Sequence, residues 1–353
     1  MPAEISTGVR LAELTTLRVG GPAARLVRAG TAEELVDAVR SCDDAGEPVL
    51  IVAGGSNLLV GDGGFPGTVV LVEAVGVAVE SADHCGGAVI RVAPGENWDG
   101  VVRRALAEGW VGVEALSGIP GSVGATPVQN VGAYGQEVAE TVSSVRTWDR
   151  VERRIRTFAV GECGFGYRTS RFKVERFRSG PRYVVLDVTF QLPVGDLSAP
   201  VRYAELARTL GVEIGARVPA ADVREAVLAL RRGKGMVLDR GDHDTWSAGS
   251  FFTNPLLAPA AAAALPSDAP RWPAEDGLVK TSAAWLIEQA GFRRGHGLPG
   301  PASLSTKHTL ALTNRGSATA EDLLRLAREV RDGVRERYGV ELVPEPVLVS
   351  CEL

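Results

Sequence analysis

Several short stretches of this chain combine residue types that can do chemistry. Gly54-Gly55-Ser56-Asn57-Leu58 follows an apolar run. Its glycines allow positive φ and bring backbone N–H groups close to an anion, and Ser56 and Asn57 add side-chain donors. The same residues would also make an ordinary strand-ending turn. Position 58 is Leu, so the Gly-x-Ser-x-Gly elbow of a hydrolase nucleophile is absent. Ser117-Gly-Ile-Pro-Gly-Ser-Val-Gly-Ala-Thr-Pro127 has prolines to fix its path and glycines to bare its main chain. Such a loop can lie flat against a pyrophosphate or a ring, with its amides as donors. Gly164-Phe-Gly-Tyr-Arg-Thr-Ser-Arg-Phe-Lys173 mixes aromatics with cations. Arg168 there can grip a carboxylate or phosphate through two parallel hydrogen bonds, or the segment can be a solvated basic turn.

Three further stretches complete the set. Arg231-Arg-Gly-Lys234 ends a helical pattern, where cations suit either the helix C-terminus or an anionic ligand. In Ser247-Ala-Gly-Ser-Phe-Phe-Thr-Asn-Pro255, Phe251 and Phe252 read as core, which sets Ser250 beside an apolar wall. Pro344-Glu345-Pro346 aims a carboxylate from a stiff backbone, or simply kinks an edge. A Ser/His/Asp triad using His243 and Asp244 is arithmetically possible, but nothing in the sequence puts those groups in order.

The elements that must position these residues alternate in character. The sequence predicts a helix from Thr31 to about Ala45, with Thr31 as cap, and a buried strand over Pro48–Ala53. Strands are expected at Thr68–Glu73, Ala88–Val92, Ser144–Trp148, Arg154–Phe158 and Tyr183–Leu192, and a helix at Asn97–Glu108. Residues 112–135 are glycine-rich, carry no Lys or Arg and show little periodicity. A loop that long inside a domain is usually functional. Beyond it, helices are expected at Ala220–Arg232, Thr281–Ala290 and Thr319–Tyr338, with strands His308–Thr313 and Glu341–Val349 around the last. The Ala/Pro-rich stretch from Leu257 to Trp272 reads as an inserted helix or linker. A domain boundary falls near residue 239. Patterning alone gives an α+β fold and no regular βαβ series.

Composition narrows the classes. The chain has 353 residues, 45% hydrophobic and 23% charged, with a net charge of −5. That is globular and argues against a nucleic-acid binder with a broad basic face. Cys42, Cys85, Cys163 and Cys351 are far apart, as are His84, His243, His296 and His308, so neither a disulfide scaffold nor a metal site is indicated. The N-terminal residues lack the pattern of a signal peptide, and Leu256–Leu265 is far short of the ~20 residues that span a bilayer. A cytoplasmic protein without membrane insertion is expected. Only Lys173, Lys234, Lys280 and Lys307 are lysines among 38 basic residues, so each surviving ammonium is a candidate for a compact, desolvatable charge.

Taken together and in this order, Leu14-Thr-Thr-Leu-Arg-Val-Gly-Gly21, GGSNLL, SGIPGSVGATPVQNVGAYG, GYRTSRFK, SAGSFFTNP and Pro344-Glu345 resemble the UDP-N-acetylenolpyruvoylglucosamine reductase family of peptidoglycan synthesis. The resemblance covers nearly the whole chain. It implies an α+β fold: a two-subdomain FAD-binding fold of the vanillyl-alcohol-oxidase type plus an α/β substrate-binding domain. The implied domains are 1–75, joined by a C-terminal strand at 347–353, then 76–238, then 239–346. It implies non-covalent FAD, with NADPH as reductant and UDP-N-acetylglucosamine enolpyruvate as substrate. Other flavin enzymes tether FAD through His or Cys in a glycine-rich loop, and neither GGSNLL nor SGIPGSVGAT contains either. The alternative is another non-covalent FAD oxidoreductase of the same fold, acting on a different sugar or alcohol.

By the same resemblance the cofactor would be held by Gly54, Gly55, Ser56, Asn57 and Leu58, and by Ser117, Ile119, Gly121, Ser122, Gly124, Ala125, Gln129, Asn130, Gly132 and Ala133. Arg168, Ser250 and Glu345 match the catalytic positions. Reduced flavin would deliver hydride to the enolpyruvyl methylene, Arg168 would stabilise the charge that develops, and Ser250 would protonate the intermediate. Glu345 would act as an acid or an orienting group. Lys234 could offset the incipient serine alkoxide. Tyr203 matches the tyrosine of members with a substrate-covering loop, and Arg231, Lys234, Asn254, Lys280 and His308 match positions lining the sugar or its phosphates.

Overall fold

The computed structural model describes residues 4–83 and 85–353; His84 lies outside them. The described residues form two compact units. The first comprises 4–9, 23–54 and 66–232, and the second 10–22, 55–65 and 233–353.

Besides the short pairings of Arg176–Phe177 with Gly180–Pro181 and of Gly132–Ala133 with Gln136–Glu137, the first unit has two larger sheets. One runs in the order Ile5–Ser6, Ala23–Ala29, Phe65–Val72, Val49–Val52. Its last pair is parallel, with Val49 opposite Thr68. The helix Ala32–Ala45 packs Leu35, Val39 and Cys42 against Val49, Val70 and Val72. Thr31 caps it by accepting from the Glu34 N–H at 3.1 Å, and Glu34 reaches back to accept from the Gly30 N–H at 2.8 Å. The second sheet is antiparallel, in the order Arg154–Ala159, Val142–Asp149, Tyr183–Leu192, Gly87–Val92, Val77–Asp83. The helix Trp98–Ala107 buries Trp98, Val101, Val102 and Ala105 against Ile90, Val145, Val188 and Phe190 of that sheet. Residues 112–135 contain only 3₁₀ turns at Glu114–Leu116 and Val123–Ala125 and the two-residue strand Gly132–Ala133.

The second unit is organised around the helix Ala320–Tyr338. Its buried stripe of Leu323, Leu324, Ala327, Val330 and Val334 shares a core with Phe251, Phe252, Leu286, Ile287, Leu304 and Leu312. Thr319 caps this helix in a box with Asp322. Asp62 adds a second anion there, accepting from the Ala320 N–H at 2.8 Å and the Glu321 N–H at 3.1 Å. The strand Leu58–Val60 pairs in parallel with Val347–Val349.

Three expectations change here. The strand expected at His308–Thr313 is Leu312–Asn314. Residues before it turn instead, because the Ser305 hydroxyl accepts from the N–H groups of Lys307 and His308. The expected strand Glu341–Val349 shrinks to Val347–Val349. Pro344 and Pro346 lack the donors that a longer ladder needs. The Ala/Pro-rich stretch is neither one helix nor a linker. It holds the short helix Pro259–Ala263 between the strands Leu256–Leu257 and Arg271–Pro273, which flank Val279–Thr281.

Candidate active site

In the first unit, Arg168 sits at the corner of a tight turn. Gly166 and Thr169 exchange both of their backbone hydrogen bonds, at 3.1 and 3.3 Å, and Arg168 itself has φ +53°. A non-glycine residue held there is strained, and such strain tends to collect at functional sites. The guanidinium donates from Nη2 to the Gly132 carbonyl at 2.9 Å, and the Lys173 ammonium donates to the carbonyl of Arg168 at 3.0 Å. Two more bonds tie this turn to the glycine-rich loop. Ser170 Oγ donates to the Val128 carbonyl at 2.6 Å, and Asn130 Nδ2 donates to the Gly166 carbonyl at 3.2 Å. Thus GYRTSRFK and SGIPGSVGATPVQNVGAYG, read separately in the sequence, make one hydrogen-bonded body.

Arg231, near the end of the helix Ala220–Gly233, lies in the same unit. Burial pushes its guanidinium down to about 10, and the positive charge of Arg168 acts in the same direction. The Tyr134 phenol feels Arg231 too, but burial dominates and pushes it up to about 12. Tyr134 meets the exposed Tyr203 edge to face, with ring centroids 5.6 Å apart. Burial raises the Tyr203 phenol as well. Arg168, Arg231, Tyr134 and Tyr203 thus give this unit a group of two cations and two un-ionised phenols, suited to an anionic ligand with ring or sugar surfaces. Asp99 fixes the start of the loop: it accepts from the Gly118 N–H at 2.6 Å and takes both ends of the Arg224 guanidinium, at 2.7 and 2.9 Å. Burial would raise its carboxyl, but those partners hold it below the ordinary carboxylate range.

In the second unit, Ser250 and Glu345 are brought together by main chain. Phe252 and Pro344 form an antiparallel bridge, the Glu345 N–H donates to the Phe251 carbonyl at 2.8 Å, and the Thr253 N–H donates to the Val343 carbonyl at 3.0 Å. Phe251 and Phe252 are both 1% exposed, while Ser250 and Glu345 are half-buried. Asn57 joins them: its Nδ2 donates to the Glu345 carbonyl at 3.4 Å, and its own carbonyl accepts from the Val347 N–H at 2.9 Å. Asn254 accepts from the Ala283 N–H at 3.0 Å and so helps to start the helix Ala283–Gln289. Lys280 sits in the middle strand of the three-stranded sheet, opposite Leu256 and Trp272. His308 lies in the 305–311 turn beside Lys307, which pairs with Asp242. Lys234 precedes Gly235, where an added Cβ would meet the Asp244 carbonyl at 2.9 Å.

The glycines explain how main chain comes to line a surface. A Cβ on Gly54 would lie 2.5 Å from the Gly121 Cα, and one on Gly124 would lie 2.6 Å from the Pro94 Cβ. The GG turn and the SGIPGS loop thus touch backbone to backbone in the first unit. In the second unit Gly55 is packed so tightly on Leu14 that any Cβ would strike its carbonyl, and the Gly55 carbonyl accepts from the Thr16 N–H at 3.1 Å. The backbone N–H groups of the partly exposed Ile119 and Gly121 donate to no group among the described residues. Among those residues there is no group of three or more His, Cys, Asp or Glu that could hold a metal ion, and no helix long and apolar enough to cross a membrane.

Known proteins resolve what this arrangement belongs to. A family model described as the C-terminal domain of UDP-N-acetylenolpyruvoylglucosamine reductase matches residues 241–349, and one described as an FAD binding domain matches 23–157. The chain is 59% identical over 347 residues to UDP-N-acetylenolpyruvoylglucosamine reductase of Cutibacterium acnes, covering 98% of this chain and 90% of the relative. The chain belongs to the UDP-N-acetylenolpyruvoylglucosamine reductase family. The protein of that name from Thermobifida fusca is 53% identical, with all of both chains covered. The crystal structure of the reductase from Thermus caldophilus superposes with a TM-score of 0.66 at 26% identity, covering 98% of this chain and 99% of that one. The fold class is therefore the FAD-binding fold of the vanillyl-alcohol-oxidase type together with the family's C-terminal domain. The cofactor is FAD. Bare amides at Ile119 and Gly121, beside glycines that admit no side chain, fit a diphosphate and a planar ring.

The family motifs do not single out every residue that organises the site. Glu137 accepts from Asn130 Nδ2 at 2.6 Å. Glu114, fully buried, accepts from the N–H groups of Gly112 and Ala199 and from Gln136 Nε2, at 2.6 to 2.8 Å. Their signal in the sequence is a carboxylate within a stretch that lacks any basic residue to pair with it.

Proposed function

We propose that this chain reduces the enolpyruvyl ether of UDP-N-acetylglucosamine enolpyruvate to UDP-N-acetylmuramate, a step of peptidoglycan precursor synthesis. What carries the reading is 59% identity along 98% of the chain to a reductase of that name. NADPH is the reductant. UDP-sugars and NADPH are cytoplasmic metabolites, and the enzyme works there. Residues 1–75 with 347–353, and 76–238, would hold the cofactor, and 239–346 would bind the nucleotide sugar.

FAD, bound without a covalent tether and once reduced, supplies the hydride. Gly54 to Leu58 and the loop residues Ser117, Ile119, Gly121, Ser122, Gly124, Ala125, Gln129, Asn130, Gly132 and Ala133 would hold it, mostly through main chain. Because the side-chain amide of Asn130 already bonds to protein groups, its backbone is the part left to meet the cofactor. The substrate's carboxylate gains negative charge as the methylene accepts hydride. Arg168, a permanent cation in a fixed turn, stabilises that charge more in the transition state than in the ground state. Ser250 gives its hydroxyl proton to the adjacent carbon, and the basicity of an enolate-like intermediate drives that transfer. Lys234 offsets the developing alkoxide. Glu345, held one rung from Ser250, orients the reacting carboxylate or the serine. Tyr203, Arg231, Lys234, Asn254, Lys280 and His308 bind the sugar and its diphosphate.

The test follows NADPH oxidation by the purified flavoprotein with and without UDP-N-acetylglucosamine enolpyruvate. Rapid oxidation that requires the enolpyruvyl sugar is expected. A flavin that NADPH reduces and the sugar leaves reduced would discard this substrate.

A further inference from the structure

We infer that Glu137 is a positioning residue for Arg168, acting through Asn130; the inference rests on the role proposed for Arg168. Asn130 is 1% exposed and has φ +47°. Its amide group is fully assigned by its surroundings. Oδ1 accepts from the Ala139 N–H at 3.1 Å, which fixes which end is nitrogen. Of the two N–H bonds, one goes to the Glu137 carboxylate at 2.6 Å and the other to the Gly166 carbonyl at 3.2 Å.

Gly166 is the first residue of the turn that carries Arg168 at its strained corner. The bond from Asn130 is therefore one of the restraints that keep that corner in place. A second comes from Arg168 itself, through its bond to the Gly132 carbonyl. Glu137 stands at the far side of both. A Cβ built on Gly132 would lie 2.9 Å from Glu137 Cγ and 3.5 Å from Arg168 Nη1, so the acid and the guanidinium flank the same α-carbon.

The charge on Glu137 has a clear effect on this chain of bonds. A carboxylate makes a strong, charge-assisted bond to the Asn130 nitrogen and strengthens Oδ1 as the acceptor of the Ala139 N–H, so the amide is held at both ends with its second N–H aimed at Gly166. It also holds the amide against rotation, which would turn Oδ1 toward the Gly166 carbonyl and repel it. Removing the carboxylate loosens the turn without touching substrate. Removing only its charge, as in Glu137→Gln, keeps an acceptor and weakens the restraint less.

The test uses the full-length flavoprotein and its apoprotein. In Glu137→Ala, NADPH should reduce the flavin at the parental rate, and the enolpyruvyl sugar should reoxidise it about ten- to a hundredfold more slowly, the loss expected for one charge-assisted bond. Glu137→Gln should lose less than tenfold. In the apoprotein, hydrogen exchange at the amides of 166–170 should speed up in both variants, while the exchange of Tyr183–Leu192 stays put. In an Arg168→Lys background the effect of Glu137→Ala on reoxidation should vanish. Losses that multiply instead would overturn the inference, as would unchanged exchange in 166–170. Should Arg168→Ala reoxidise at the parental rate, the role of Arg168 itself falls, which the single variant reveals before Glu137 is considered.

Discussion

The two units hold their reactive groups in opposite ways. In the first, a backbone bridge between Gly166 and Thr169 closes the turn of Arg168, and side chains tie that turn to the rest: Asn130, Ser170 and Lys173 each bond to main chain of the turn or the loop, and Asp99 pins that loop at Gly118. In the second, Ser250 and Glu345 are placed by main chain bonding to main chain, over a floor of Phe251 and Phe252. A substitution can delete a side-chain bond, but unless it brings in proline it leaves a backbone rung in place. The first arrangement is therefore tunable and fragile to changes of charge. The second tolerates loss of its polar side chains and is fragile to loss of its apolar floor.

The largest effect should come from Ser250→Ala. Because rungs and not the hydroxyl fix this segment, the variant should melt where the parent does and take up hydride from NADPH unchanged. Its reoxidation by the sugar should fall about 10²–10⁴-fold, the usual contribution of a positioned acid. Equal loss in both half-reactions would remove serine from the proton-transfer role. Phe252→Ala attacks the floor instead and should cost about 3–5 kcal/mol by denaturant titration of the second unit. A cost under about 1 kcal/mol would show that the rungs stand without the aromatic layer.

Asp99→Asn sharpens the contrast from the other side. Losing the charge shared by Gly118 and Arg224 should cost about 1–3 kcal/mol at pH 7. The native carboxyl is held below its unfolded value, so its stabilisation is complete above about pH 4 and fades as the pH falls through the lower folded value. The gap between parent and variant in a pH series of melting curves should close on acidification. A gap that does not narrow at all as the pH falls below about 4 would assign the loss to packing. Smallest of all, Thr319→Ala removes one hydroxyl from a helix start that Asp62 also caps, and should cost no more than about 1 kcal/mol. If it matched Asp99→Asn, the first unit would owe little to its side-chain network.

Elements with their own end signals were legible in the sequence. Thr31 and Thr319 announced helices that begin where they should, and the apolar stripe of Leu323 to Val334 faces the core. The strand Val77–Asp83 was not legible, since as a sheet edge it is mostly exposed and lacks a sustained apolar face. Periodicity could not have paired Leu58–Val60 with Val347–Val349, since three residues carry no period; only the family resemblance joined 347–353 to 1–75. The motifs gave Arg168, Ser250 and Glu345 as candidates, but no spacing rule links Asn130 with Gly166. Glu137 works through the side-chain amide of Asn130, and Asp99 through the Gly118 N–H and the Arg224 guanidinium, and a sequence does not record those partners.

The parallel pairing of Leu58–Val60 with Val347–Val349 also sets the order in which the enzyme can come alive. The contact between Asn57 and Glu345 spans 288 residues of sequence. During synthesis the GGSNLL turn emerges early and must wait for nearly everything after it. Bonds between such distant residues form slowly because a long loop has to close first. A ribosome-bound chain that stops short of residue 345 thus carries the glycine-rich loop and Arg168 but not the carboxylate of Glu345. Under the role proposed for Glu345, competence waits on the pairing of Val347–Val349 with Leu58–Val60.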